Sequence, residues 1–218
     1  MMAGLAASLP AMSGVDAVVK VDTTSPLPGH PVALLWLSAT VMFVLAGFEL
    51  SIVLQGQQQA DQSSRQAAVM LAECSLVMLG VNALLFVTSL LERVSARILI
   101  GAGLVLAVVG LVMLAVGRAD AWMYLGVSLT AAGTGLVLPA IAYLAAGSLP
   151  HKLGVVMGGL TAAAGLGQTL GSAAGGWLFG TLAQGSYGRL ALPLIVMLGL
   201  LLARPAWWSA RAPSRRLA

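Results

Sequence analysis

The hydrophobic positions of this chain fall into six long runs, separated by short groups of polar or charged residues. We predict six helices at the following positions: 31–54, 67–91, 98–116, 122–144, 153–182 and 190–208. A helix needs roughly 17–25 apolar residues to cross ~30 Å of hydrocarbon, and the fifth run is longer and can tilt. The strict alternation of a membrane β-barrel strand is missing from the sequence. The pattern therefore predicts an all-α, polytopic membrane protein with six transmembrane helices.

Composition supports a membrane protein and excludes other classes. Of the 218 residues, 59% are hydrophobic and 8% are charged, and the mean hydropathy is +0.97. A soluble domain carries about 25% charged residues, so this chain has too little charge to cover a surface that faces water. It is also too hydrophobic for a disordered protein. Because Cys74 is the one cysteine, a disulfide framework and a cysteine-based metal site are excluded as well.

The two ends of the chain differ from its middle. We interpret residues 1–30 as a flexible cytoplasmic tail, because they lack the basic start and unbroken apolar stretch of a secretory signal. A cleaved signal is the alternative. Residues 31–208 form the predicted bundle, and residues 209–218 form a basic cytoplasmic tail.

The distribution of Lys and Arg predicts the orientation in the membrane. With six crossings, both termini lie on one side, and that side holds eight of the eleven Lys and Arg residues. Because short cytoplasmic segments carry the excess of basic residues, we expect a multi-pass protein of the cell membrane with both termini in the cytoplasm.

Small residues are concentrated in the fourth and fifth predicted helices. In the fifth, Gly167, Gly171 and Gly175 recur at intervals of four residues and so share one face. In lipid, such residues let two helix backbones approach closely. We expect these glycines to pack against another helix. A sliding surface between moving bundles is the alternative.

Two carboxylates, Glu49 and Glu73, lie within predicted spans. An acidic side chain near mid-membrane costs about 2.5–3.5 kcal/mol on the insertion scale. At ~1.5 Å per residue, Glu49 falls near the outer face and Glu73 roughly 9 Å in from that face. Either is a candidate to carry a proton, and a partly solvated helix end is the alternative. Asn82 and Gln168 are deeper neutral residues that we add as candidates for a proton or substrate path.

Motifs of soluble and membrane enzymes are missing from the sequence. It contains neither a phosphate-binding Walker loop nor a nucleophile elbow, and His30 and His151 lie at span edges. We therefore expect no enzymatic activity, no cofactor and no metal site.

The connector between the second and third predicted helices carries a motif, T-S-L-L-E-R-V-S-A-R at positions 88–97. Glu92, Arg93 and Arg97 match the acid and two bases of the cytoplasmic signature loop of major facilitator superfamily transporters, G-x-x-x-D-R-x-G-R-[RK]. The departures from that pattern are at Thr88, Ser95 and Ala96. With the glycine-rich stretch 133–180, the chain over about residues 31–208 resembles the carboxyl-terminal half of a proton-coupled drug-efflux member of this family.

The resemblance implies a fold and a mechanism. One six-helix half would consist of two inverted three-helix repeats, and two halves would rock around a midplane site to export a small molecule by alternating access. Glu92, Arg93 and Arg97 would latch one state by contacting neighbouring helix ends. Members of the family have twelve spans, so the expected partner is a second six-helix half or a second copy of this chain. Residues 1–30 would then correspond to the linker between the two halves. A lone copy is expected to transport poorly. The partners otherwise expected are the lipid bilayer and a small-molecule substrate, and no nucleic acid.

Two other interpretations fit the same sequence. The chain would be a nontransporting membrane subunit that assembles with or regulates a partner, or a truncated and inactive fragment.

Overall fold

The computed structural model describes residues 29–58, 64–117, 120–148, 153–182 and 185–203. Within these ranges the backbone is almost entirely α-helical and contains no β-strand, which confirms the predicted all-α class. All but the last two positions of the predicted tail at residues 1–30 lie outside the described residues, as does the whole predicted tail at residues 209–218.

The described residues form seven helices, and six of them are long and apolar enough to cross a membrane, as predicted. The seventh, α3, is a single turn in the connector between the second and third spans. The bounds are α1 Gly29–Gln58, α2 Ser64–Val87, α3 Leu90–Arg93, α4 Ala96–Val116, α5 Asp120–Ser148, α6 Leu153–Leu182 and α7 Ser186–Ala203.

Helices α1 and α7 both include residues that the sequence assigned to connectors. Gln55 lies in the last turns of α1, and Tyr187 lies in the first turn of α7. Both are buried, and the Tyr187 hydroxyl donates a hydrogen bond of 2.8 Å to Gln55 Oε1. Because each polar group satisfies the other, the two residues can remain inside the bundle as parts of helices.

Helix α2 ends four residues earlier than the predicted 67–91. The helix ends at Val87, and Ser89 has a φ of +49°, in the left-handed region that β-carbon sterics disfavour. A right-handed helix cannot continue through such a residue. The backbone therefore turns here, before α3 begins at Leu90.

Helices α1 and α6 run parallel and make the most extensive helix contact in the bundle. A side chain added at Gly167 would meet the backbone of Ala39, and one at Gly171 would lie 2.7 Å from the carbonyl carbon of Phe43. One turn on, a side chain at Gly175 would lie 2.6 Å from Gly47 Cα. The three predicted packing glycines thus lie where two helix backbones touch, and no larger residue fits there.

A second small-residue contact joins α4 to α5, which run antiparallel. A side chain added at Gly103 would lie 2.7 Å from the carbonyl oxygen of Gly133, and one at Gly110 would lie 2.6 Å from that of Gly126. The glycines alternate between the two helices, so each backbone fits into the gap left by the other. Dispersion attraction between backbones this close is a main source of helix association in lipid.

The helix contacts are related by an exchange of the first three spans with the last three. The exchange replaces α1 with α5, α2 with α6 and α4 with α7, and the reverse. Under it, the contact between α1 and α6 corresponds to the contact between α5 and α2, and the contact between α4 and α5 corresponds to that between α7 and α1. The contact α1–α2 likewise becomes α5–α6, and α1–α5 and α4–α7 map onto themselves. The exception is α6–α7, whose counterpart is replaced by a contact between α2 and the short α3.

Exchanged helices run in opposite directions. Gly56 of α1 lies next to Ala67 of α2, so these helices are antiparallel. Helices α2 and α5 are parallel, since Glu73 contacts Ser128 and Gly135 lies near Met78 further along both. Helix α1 is therefore antiparallel to its counterpart α5, and the bundle consists of two similar three-span sets in inverted orientation.

The counterparts α2 and α6 are the least covered spans. Only 17% of the most apolar window of each is buried, against 56% for α1 and for α5. The exposed face of α6 includes Gly158, Gly165, Gln168 and Thr169. A helix that faces lipid alone needs no such small and polar stripe, which is typical of a helix–helix contact.

We expect Gly171→Ala to destabilise the bundle, because the new methyl group would meet the Phe43 carbonyl. Overpacking of this kind typically costs about 1–3 kcal/mol. The matched control is Gly158→Ala in the same helix, where a methyl group meets no atom within 4 Å and alanine is the better helix former. Reversible unfolding in detergent would measure both. An equal stability for the two variants would contradict the close contact of α1 and α6.

Candidate functional site

A carboxyl group in α2 makes a hydrogen bond to the neighbouring helix α5. The Ser128 hydroxyl donates to Glu73 Oε1 at 2.6 Å, within the usual range of O–H···O hydrogen bonds. The other carboxyl oxygen, Glu73 Oε2, is buried and has no hydrogen-bond partner among the described residues. Glu73 is therefore satisfied on one oxygen and unpaired on the other.

The pairing of α2 with α5 explains how these two side chains meet. The helices run parallel, and the absence of a side chain at Gly135 brings α5 to Met78 and Val81 of α2. Two turns earlier on α5, the small Ser128 faces α2 at the level of Glu73. A residue larger than serine at 128 would occupy the position of the bond.

The second predicted carboxylate, Glu49, lies on α1 close to the same level. Helices α1 and α2 are antiparallel, and Gly56 of α1 lies against Ala67 of α2. Glu49 and Cys74 are each seven residues from that contact, so they lie at the same level. Cys74 is buried and forms no disulfide. The structure thus gathers two carboxyl groups and a thiol between α1 and α2, all of which become negative when ionised. No group of three His, Cys, Asp or Glu side chains in the described part of the chain is arranged to hold a metal ion.

Both carboxyl groups lie deeper in their helices than the sequence predicted. Helix α1 continues nine residues beyond Glu49, or about 14 Å, because it extends to Gln58. Helix α2 begins at Ser64, which places Glu73 about 14 Å from the helix start and close to the helix middle. Glu73 therefore lies near the middle of its helix and not at a helix end.

Asn82 and Gln168 do not join this group. Asn82 is nine residues beyond Glu73 on α2, about 14 Å away along the helix axis. Gln168 is exposed at the middle of α6, one residue from the contact of Gly167 with α1. The four predicted path residues therefore separate into a carboxyl pair between α1 and α2 and two isolated amides on the least covered helices.

Ser128 was missed by the sequence analysis, and no local signal could have found it. A hydroxyl in a membrane helix usually donates to a carbonyl of its own helix, as Thr130 does to Gly126 and Ser75 does to Leu71. Ser128 differs only because the packing of α5 against α2 brings a carboxyl oxygen within reach.

Of the three predicted latch residues, the structure places Arg97 at a helix end. Its Nη2 donates a hydrogen bond of 2.9 Å to the carbonyl oxygen of Leu201, in the last turn of α7. Carbonyl groups there lack a partner within the helix and carry the negative end of the helix dipole, so a cation is favourable. Arg93 is exposed at the end of α3. The backbone of Glu92 lies in α3, and its side chain is outside the described part of the structure.

An apolar cleft of about 510 Å³ lies where α1 and α6 meet Pro193 of α7. Trp36 and Phe43 of α1 and Leu166 and Leu170 of α6 line it. Neither carboxyl group is part of the cleft, so it is separate from the Glu49–Glu73 region.

Comparison of the chain with protein families and with curated proteins finds no match. Any function is therefore argued from the residues and their geometry.

We expect Arg97→Gln to destabilise the bundle by about 1.5 kcal/mol. This is the low end for a hydrogen bond from a charged group, because Arg97 is only partly buried. Arg93→Gln is the matched control, since it removes an exposed arginine from the same connector. The free energy of unfolding in detergent would measure both. Equal losses for the two variants would show that the bond to Leu201 contributes nothing.

Proposed function

We propose that the chain forms one six-helix half of a secondary active transporter of the major facilitator type, which exports a small molecule in exchange for protons. The observation that carries this proposal is the set of helix contacts, which is repeated, apart from one exception, when the first three spans are exchanged with the last three. Inverted repeats of this kind are the usual basis of alternating access, in which one bundle rocks against another around a central site.

The exposed faces of α2 and α6 support a second half as the partner. The two helices are counterparts in the repeat and are equally uncovered. Gln168 on α6 is an amide at mid-span, and a polar group in hydrocarbon is costly unless another helix satisfies it. A second six-helix half, from another copy of this chain or from a different polypeptide, would cover both faces at once.

The carboxyl pair supports proton coupling. Glu49 and Glu73 lie within helices that are long and apolar enough to span, where an acidic side chain costs enough to need a function. Arg97 supports the latch that the signature loop predicts, since it joins the start of α4 to the end of α7. The same exposed faces also favour a second candidate function, a nontransporting subunit that assembles with a partner.

Gene deletion in the native cells would distinguish the two functions, because any natural partner is then present. We expect the deletion strain to retain several-fold more of at least one dye from a panel of lipophilic cations headed by ethidium, and the intact gene to restore export. A protonophore should abolish the difference. Unchanged retention across the panel would favour the nontransporting subunit. Export that ignores the protonophore would contradict proton coupling. Expression of the chain alone in a foreign host should give weak export.

The proposed location is the cell membrane, with both termini in the cytoplasm. A Cys74→Ala background allows single cysteines to be placed at chosen positions and labelled with a membrane-impermeant maleimide. We expect Gln62→Cys to react in intact cells and Ser209→Cys to react only after permeabilisation. The unmodified chain is the control, because its cysteine is buried. The reverse labelling pattern would show that the orientation is inverted.

A further inference from the structure

We propose that Glu73 is the group that binds and releases the coupled proton, that this proton resides on Oε2, and that Ser128 is the positioning residue that holds the carboxyl for it. This inference rests on the proposed transport function and specifies its coupling site.

The two oxygens of Glu73 have different surroundings, and the difference assigns the proton. Oε1 accepts the hydrogen bond from Ser128, as the carbonyl oxygen of a neutral acid can. Oε2 is buried without a partner. A buried carboxylate is stabilised by hydrogen-bond donors, and leaving one of its oxygens desolvated costs more than leaving a neutral hydroxyl unpaired. The observed arrangement therefore fits the acid with its hydrogen on Oε2.

The charges around Glu73 favour the same form. Helix α2 packs against α1, α5 and α3. The ionisable groups that face this region are Glu49 on α1 and Cys74 on α2 itself, and each becomes negative on ionisation. On α5 the nearest ionisable side chain is Tyr124, one turn before Ser128, and Arg93 of α3 is exposed at the far end of α2. Arg65 of α2 is exposed eight residues before Glu73, about 12 Å away along the helix axis. In the described part of the chain, the groups at the level of Glu73 are therefore acids, and ionised acids side by side repel each other.

Release of the proton then requires water. The released proton leaves a carboxylate whose Oε2 must form new hydrogen bonds, and the contacts of α2 with α5 and α1 close that oxygen off in this arrangement. Helix α2 is also one of the two least covered spans, so fewer contacts oppose its movement than oppose movement of α1. Proton binding thus favours the closed contact of α2 with α5, and proton loss favours an arrangement that admits water to Glu73.

Infrared difference spectroscopy of the purified full chain in lipid nanodiscs tests the site without any substrate. We expect a carbonyl stretching band of a protonated carboxyl group that disappears as the pH is raised. The band should be lost in Glu73→Gln and kept in Glu49→Gln. Ser128→Ala should shift it to higher frequency, because the hydrogen bond to Oε1 is lost. Ser75→Ala is the matched control, since that hydroxyl bonds only its own helix, and it should leave the band in place.

Each result supports or overturns the proposal. A titrating band that survives Glu73→Gln, or no titrating carbonyl band in the unmodified chain, would overturn it. Thermal unfolding shows whether Glu73→Gln folds. If it does not, the carbonyl bands of Ser128→Ala and Ser75→Ala are compared instead. An unshifted band in Ser128→Ala overturns the role of Ser128.

Complementation of the deletion strain separates this inference from the transport function. Glu73→Gln should lose the protonophore-sensitive part of dye export, and Ser128→Ala should change its dependence on pH. Export by Glu73→Gln with unchanged pH dependence would overturn the site and leave the transporter intact. A Glu73 band with no dye export by the unmodified chain would instead overturn the transport function.

Discussion

The bundle depends on the direct contact of the α1 and α6 backbones. Lipid tails are as apolar as leucine, so two helices in a membrane gain little from burying apolar side chains against each other. They associate because close packing strengthens the dispersion attraction between them, and close packing needs small residues. At Gly171 the gap is so narrow that even a β-carbon would meet the carbonyl group of Phe43. This contact fixes one face of α6 against α1, and it leaves other positions of the helix, among them Gly158 and Gln168, uncovered.

The inverted repeat makes the contact of α5 with α2 the counterpart of the contact of α1 with α6, and the two have become chemically different. Three glycines make the α1–α6 contact tight. In α5–α2 the corresponding space holds Gly135 and a hydrogen-bonded pair, Ser128 and Glu73. A tight contact on one side of the bundle and a polar contact on the other would let one helix move while its counterpart stays fixed. This asymmetry is the physical basis of the coupling that we propose.

Much of the fold could be predicted from the sequence, but less of the candidate site. The six spans follow from the length of the apolar runs, and the register of Gly167, Gly171 and Gly175 indicated which face of the fifth span packs. The helix ends were less accurate where a polar residue finds a distant partner, as Gln55 does in Tyr187. Glu73 was a candidate because a carboxyl group at depth is costly. Its distinction from Glu49 needed the bond to Ser128, which is one of many hydroxyl groups in the spans.

The sequence by itself determined the class of protein, the number of spans and the small-residue faces, because hydrocarbon allows only structures that satisfy their own backbone and leaves helices as the choice for these long runs. Only the tertiary structure decided which polar groups meet. Glu73 and Ser128 are 55 residues apart, Arg97 and Leu201 are 104 apart, and Gln55 and Tyr187 are 132 apart. Such pairs depend on how each helix is rotated about its axis, and that rotation is set by packing against several neighbours at once.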